Sequence, residues 1–174
     1  MRTRFLLALG SLALAAAPTV AVADQSSAPL QLANVLALPP APDSTRIHAV
    51  LSRADEATSS GRMGEARRLY RGLIQEQRDA SQYAGATLWK LASNLVYDGD
   101  VKGAALLLDD LAAEASRFGD PAMELRATFE SAILWQKVKR NDMAMAHLDR
   151  VRCLLQSPAI AAEVKQSIER RIVG

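Results

Sequence analysis

Cysteine is nearly absent: Cys153 is the only one in 174 residues. No disulfide can form within the chain, so its stability has to come from packing. The thiol reads as free and buried, an intermolecular bridge being the other reading. Histidine is almost as scarce. His48 and His147 belong to different parts of the chain, and neither has a second ligand at metal-binding spacing. Cys153 lies six residues from His147, which puts the two on different faces of a helix, so a thiol–imidazole pair is not expected. There is no glycine-rich phosphate loop and no G-x-S-x-G turn. Adjacent acids such as Asp55-Glu56 and Asp109-Asp110 diverge around a helix and read as solvated surface. These absences leave no catalytic centre, cofactor or metal site to nominate, and the chain reads as a non-enzyme.

An excess of one charge is lacking too. Lysine and arginine number 21 and the acids 19. Arg2 and Arg4 fall in a segment expected to be removed, which leaves 19 (21 minus 2) against 19. The pI of 8.9 for the whole chain therefore overstates its basicity. A neutral surface excludes the clustered cations that nucleic acid needs and a polybasic membrane patch.

Long apolar runs are missing apart from Phe5–Ala17, thirteen residues, against the roughly 20 of a membrane span. Arg2 and Arg4 precede this run, Pro18 breaks it, and Ala21-Val22-Ala23 forms a small-residue cleavage site. The pattern is that of a secretory signal over 1–23. The expected mature chain starts at Asp24, periplasmic or secreted, with no membrane span. No cysteine stands at the cleavage point for a lipid anchor, and Arg2 and Arg4 are not adjacent as a twin-arginine signal requires.

Residues 24–42 read as a proline-containing linker. Pro29, Pro39, Pro40 and Pro42 forbid a continuous helix. The segment also carries Leu30, Leu32, Val35, Leu36 and Leu38, more apolar than a plain tether. It is either a loose N-terminus or a docking strand.

From Asp43 the periodicity predicts seven helices and no strand, an all-α fold. The first has Ser44 as N-cap and Ile47, Val50, Leu51, Ala54 and Ala57 on one face, stopping at Ser59-Ser60-Gly61. The second carries Met63, Ala66, Leu69, Tyr70, Leu73 and Ile74. The third runs from about Ser81 to Tyr97, with Ala84, Leu88, Leu91, Ala92 and Leu95 as its stripe. The fourth runs from about Val101 to Arg117, apolar on more than one face and so expected to be buried on both sides. Asp120-Pro121, an N-cap followed by proline at the first helical position, opens the fifth. The sixth starts near Asp142, and Ser157-Pro158 opens the seventh, whose Ile160, Val164, Ile168 and Ile172 oppose a charged face.

The turns repeat. Gly61 to Gly99 is 38 residues and Gly99 to Asn141 is 42. A small residue follows each by five: Ala66, Ala104 and Ala146. A glycine, or an asparagine tolerating positive φ, ends one helix. The small residue lets the next helix come close. Two helices per such period signal a helical solenoid of three antiparallel pairs closed by a capping helix.

These residues resemble the tetratricopeptide repeat family over about 43–172. In the second pair Leu88 stands at the family's tryptophan place, Leu91-Ala92 match its leucine and small residue, Leu95 replaces its tyrosine, and Ala104 and Leu108 match the second helix. Val50, Ala54, Ala66 and Tyr70 fit in the first pair, as do Ala132, Trp135 and Ala146 in the third. Arg53 and Arg150 occupy apolar places, and the periods exceed the usual length of about 34. The resemblance implies a right-handed superhelix over 43–174 whose concave groove binds an extended or helical protein segment. It places in that groove His48, Leu51 and Asp55, then Ala86, Trp89, Ser93, Val96 and Tyr97, then Arg126, Phe129, Ile133, Gln136 and Lys137. Leu51, Asp55 and Ala86 stand where a carboxylate clamp needs polar or basic groups, so that specificity is not expected. Trp89 and Tyr97 lie off the Leu88-Leu91-Leu95 stripe, free either for a partner or for packing between pairs. The reading is an exported, non-catalytic scaffold or adaptor with a protein partner. Its alternatives are an accessory subunit of an envelope or membrane-associated complex, docked by its linker or convex face, and after that a periplasmic hydrolase.

Overall fold

The computed structural model describes residues 41–173. The expected signal segment, and the linker up to residue 40, lie outside the described residues. The described chain is all-helical: α1 (Ser44–Ser59), α2 (Met63–Asp79), α3 (Gly85–Tyr97), α4 (Val101–Phe118), α5 (Pro121–Lys137), α6 (Asn141–Leu155) and α7 (Ala162–Val173). From α1 to α6 each helix packs against the next, and α7 returns onto α5.

The turns explain that order. Gly61, Ser81, Gly99, Gly119 and Lys139 all have positive φ. After each, the next N–H reaches back five residues: Arg62 to Ala57, Gln82 to Gln77, Asp100 to Leu95, Asp120 to Ala115 and Arg140 to Trp135, at 2.7–2.9 Å. The left-handed residue itself donates three residues back at every one of these sites. This is the Schellman ending, which satisfies the last carbonyls of a helix and reverses the chain. At four of the five the next residue is already the N-cap of the following helix, so the connections are too short for anything but a hairpin.

This places the third turn differently from the sequence expectation. The left-handed residue is Lys139, while Asn141 opens α6. Five residues after Lys139 comes Ala144, buried at 5% exposure, whereas Ala146 is exposed. The turn spacing is thus 38 and then 40 residues. Composition hid the shift, because lysine is a poor marker of positive φ and Asn141 nearby is a good one.

Three helix starts also differ. Asp43, not Ser44, caps α1, its carboxylate accepting from the Arg46 N–H at 2.7 Å. α3 begins at Gly85 because Ser81 is spent on ending α2 and Tyr83 folds over the next turn. A Cβ on Gly85 would meet the Tyr83 ring at 2.3 Å. α7 begins at Ala162, since Ser157 Oγ accepts the Ala159 N–H at 3.3 Å in a turn instead of capping a helix.

The larger core runs through α1–α6 around Tyr70, Leu88, Leu91, Leu95, Leu108, Leu111 and Trp135. Ala54, Ala66, Ala104 and Ala105 are fully buried, the small contacts that allow close helix approach. α4 is covered by both α3 and α5, as its apolar excess predicts, although Leu106 remains 53% exposed. Buried polar groups pin the pairs together. Glu114, 1% exposed, takes Arg78 from α2 and the Ala84 N–H at 2.9 Å. Thr87 donates to Gln77 at 2.8 Å.

A second core joins α5, α6 and α7 through Leu125, Phe129, Val151, Leu154, Ile160 and Ile168. Phe129 is 3% exposed, which corrects its assignment to the groove. It turns toward α7, where the Arg171 guanidinium lies 4.8 Å from its ring centre. Cys153 is exposed, contrary to the buried thiol expected, because Val151 and Leu154 take the inward positions on α6.

Candidate binding cleft

Between the C-terminal halves of α3 and α5 lies a cleft of about 430 Å³. Ala92, Leu108 and Leu134 form its floor, all three buried. Trp89, Val96 and Ile133 form apolar walls, and Tyr97, Glu130, Lys137 and Arg171 stand at the rim. The cleft exists because α4 lies below both helices and presents Leu108 between them.

Of the residues assigned to the groove, the structure brings Trp89, Ser93, Val96, Tyr97, Ile133 and Lys137 into this one cleft. Trp89 is partly buried against the core while also lining the cleft, so packing and exposure to a ligand coexist in one ring. Tyr97 is 77% exposed. It also borders a second pocket of about 400 Å³ with Asp55, Thr58, Ser59 and Met63. Gln136 opens instead on a smaller pocket of about 330 Å³ between α5 and α6, with Ala144, Met145 and Leu148. His48, Leu51 and Arg126 do not line the cleft. His48 and Arg126 are exposed, and Leu51 packs against the core.

The sequence reading missed Glu130 and Arg171. Arg171 ion-pairs with Glu130 across the α5–α7 interface and reaches the cleft rim. The one hint was its place on the charged face of the last helix, and nothing local fixes which neighbour that face meets. The Glu130 charge is matched by Arg171, which leaves Lys137 as the rim cation without an ion pair among the described residues.

Asp55 is held in place. Its carboxylate accepts from Tyr70 at 2.6 Å and from Lys90 at 2.7 Å. Partial burial pushes the Asp55 carboxyl up, but these two bonds outweigh it and hold the group below its ordinary value. Burial and the bond to Asp55 push the Tyr70 phenol up to about 12.

Asp109, expected as solvated surface, is instead a junction of three helices. It accepts from Ser131 and, at 3.0 Å, from the Trp135 indole N–H. His147 Nε2 lies 3.0 Å from the same carboxylate but is out of line for a hydrogen bond. Asp, His and Ser do meet here, yet the acid stands in the middle and the Ser131 hydroxyl is fully buried. The hydroxyl gives its proton to the carboxylate, not to an imidazole, so this arrangement does not activate a nucleophile.

No protein-family model, curated protein or solved structure matches this chain.

Proposed function

We propose that this chain is an exported helical-repeat module that binds a protein segment in the cleft between α3 and α5. The carrying observation is that cleft: apolar in floor and walls, edged by an exposed tyrosine and by Lys137, on the side shared by alternate helices. Its size and lining suit apolar side chains rather than a metabolite rich in polar groups. Large aromatics at an open apolar site are typical anchors for a partner. Left-handed residues every 18–20 positions from 61 to 139 support a repeat of one hairpin unit, and a tetratricopeptide-like solenoid closed by α7 is the arrangement proposed. Export rests on the segment 1–23, and the scaffold or adaptor role on the lack of any catalytic constellation in the sequence.

The test is selection of peptides from a random displayed library against the full chain. Recovered peptides should share an apolar pattern. Their binding should be lost in Trp89→Ala and Ile133→Glu but kept in Leu106→Glu, which alters the exposed outer face of α4. Peptides that bind all three variants equally would overturn the assignment.

A further inference from the structure

The pocket on the other side of Tyr97 has a different chemistry. It lies at the C-terminal end of α1, beside the end of α3, lined by Asp55, Thr58, Ser59, Met63 and Tyr97. Apart from the Tyr97 hydroxyl, its polar groups are acceptors. The Thr58 hydroxyl proton is committed to the Ala54 carbonyl at 2.9 Å, and that of Ser59 to the Glu56 carbonyl at 2.9 Å. Each hydroxyl oxygen therefore keeps lone pairs and has no proton left to donate. Asp55 is a carboxylate, Met63 offers a thioether, and Tyr97 offers an exposed ring face. Behind Thr58 and Met63 sits Asn94, 1% exposed. Its amide N–H groups point at Thr58 Oγ1 (3.1 Å) and Met63 Sδ (3.2 Å), and its Oδ1 has no hydrogen-bond partner among the described residues.

An anion would find one donor, the Tyr97 hydroxyl, facing a carboxylate and lone pairs, and an apolar group would strand those lone pairs. A cation meets a carboxylate, hydroxyl oxygens and a π face together. The chain already shows this preference, since its own Lys90 ammonium reaches Asp55. We infer that this pocket holds the ammonium of a lysine side chain of the bound segment, which competes with Lys90 for Asp55. The inference rests on the reading that the groove takes a protein segment, and it gives that segment a direction. Its basic residue lies at the α1 end, its apolar residue fills the cleft beyond Tyr97, and any acidic residue faces Lys137.

The experiment titrates N-acetyl-lysine N-methylamide into the full chain and follows backbone amide shifts by NMR. Shifts should concentrate at 55–63 and at Tyr97. N-acetyl-norleucine N-methylamide, which lacks the charge, should leave the 55–63 amides unmoved and shift those of Ile133 and Lys137, with Tyr97, which borders both sites, responding to either probe. Lys90→Gln removes the internal competitor and should tighten lysine binding by up to about fivefold, the upper range for an exposed ion pair. Tyr97→Leu, an exposed position outside the core, should weaken it by about two- to fivefold. Asp55→Asn should weaken it too, with its melting curve recorded because Tyr70 loses a charged acceptor. Equal shifts from the two probes at 55–63, or affinity indifferent to both Lys90→Gln and Tyr97→Leu, would overturn the inference. If the lysine probe binds its pocket while norleucine leaves the cleft amides unmoved, the pocket stands and the apolar-cleft reading falls.

Discussion

Arg78 and Glu114, thirty-six residues apart, meet through two hydrogen bonds from the guanidinium Nε and Nη2 to one carboxylate oxygen, at 2.9 and 2.7 Å. The acid is almost wholly buried, while the guanidinium is partly open and also reaches Asp110. The second carboxylate oxygen takes the Ala84 N–H, so one side chain joins α2, α4 and the start of α3. Glu114→Ala would leave Arg78 and that N–H without their partner. A loss of about 2 kcal/mol is expected, that of a buried donor left unsatisfied, because Arg78 keeps Asp110 and solvent. Urea unfolding of the variant and the parent measures it.

Lys139 holds a left-handed conformation that costs a non-glycine residue about 1 kcal/mol. Lys139→Gly should therefore raise stability by roughly 0.5–1 kcal/mol. Asn141→Gly, at the first position of α6, should not stabilise. If thermal melts showed the reverse order, the turn would belong at Asn141, as the residue types alone suggest.

Arg171 anchors the C-terminal turn of α7 through the Phe129 ring and the Glu130 carboxylate. Arg171→Ala should speed amide hydrogen exchange in α7 and leave α1–α4 unchanged, since α7 rests on the smaller core alone. Uniform acceleration along the chain would show that α7 is not a separate cooperative unit.

Cys153 is exposed, so the native protein should react with a thiol reagent at a rate close to that of the denatured chain. A reaction needing denaturant would contradict its outward position on α6.

Stability should fall at both pH extremes, for opposite reasons. Burial and the Asp55 carboxylate hold Tyr70 at about 12 in the fold, against about 10 in an unfolded chain. Its contribution is fully present below about pH 10 and is lost as pH rises toward 12. Tyr83 is raised as well, by burial and by Asp120 and Glu114, and acts in the same direction. Arg46 holds Glu76 below the usual carboxylate range, and Arg140 holds Asp142 at about 2. Their contributions are present above the ordinary carboxylate pKa and are lost as pH falls through the folded values. Tyr70→Phe should flatten the alkaline limb of a melting-temperature profile, leaving the share of Tyr83, and on the acid limb should remove only what Asp55 owes to the Tyr70 bond.

The helices were legible because their cause is local. Apolar residues recur every three or four positions, Asp100 and Asp120 cap where their chemistry says they should, and Gly61 and Gly99 mark two of the reversals. Trp89, Tyr97, Ile133 and Lys137 were put on one side by the resemblance to the tetratricopeptide repeat, whose groove places they occupy. Tertiary structure decided the rest. Lys139 ends α5 in a conformation its residue type disfavours, because the hairpin needs a reversal there. Phe129 is core and Arg171 is rim because α7 crosses α5 at one height and not another, a choice made by the fit of Ile160 and Ile168 against Val151 and Leu154. Asp109 looked like surface until Ser131, Trp135 and His147 were brought to it from two other helices. Periodicity states which face of a helix is apolar. Which neighbour that face meets, and at what register, depends on side-chain shapes far apart in the chain, and it is this that opens a cleft between α3 and α5.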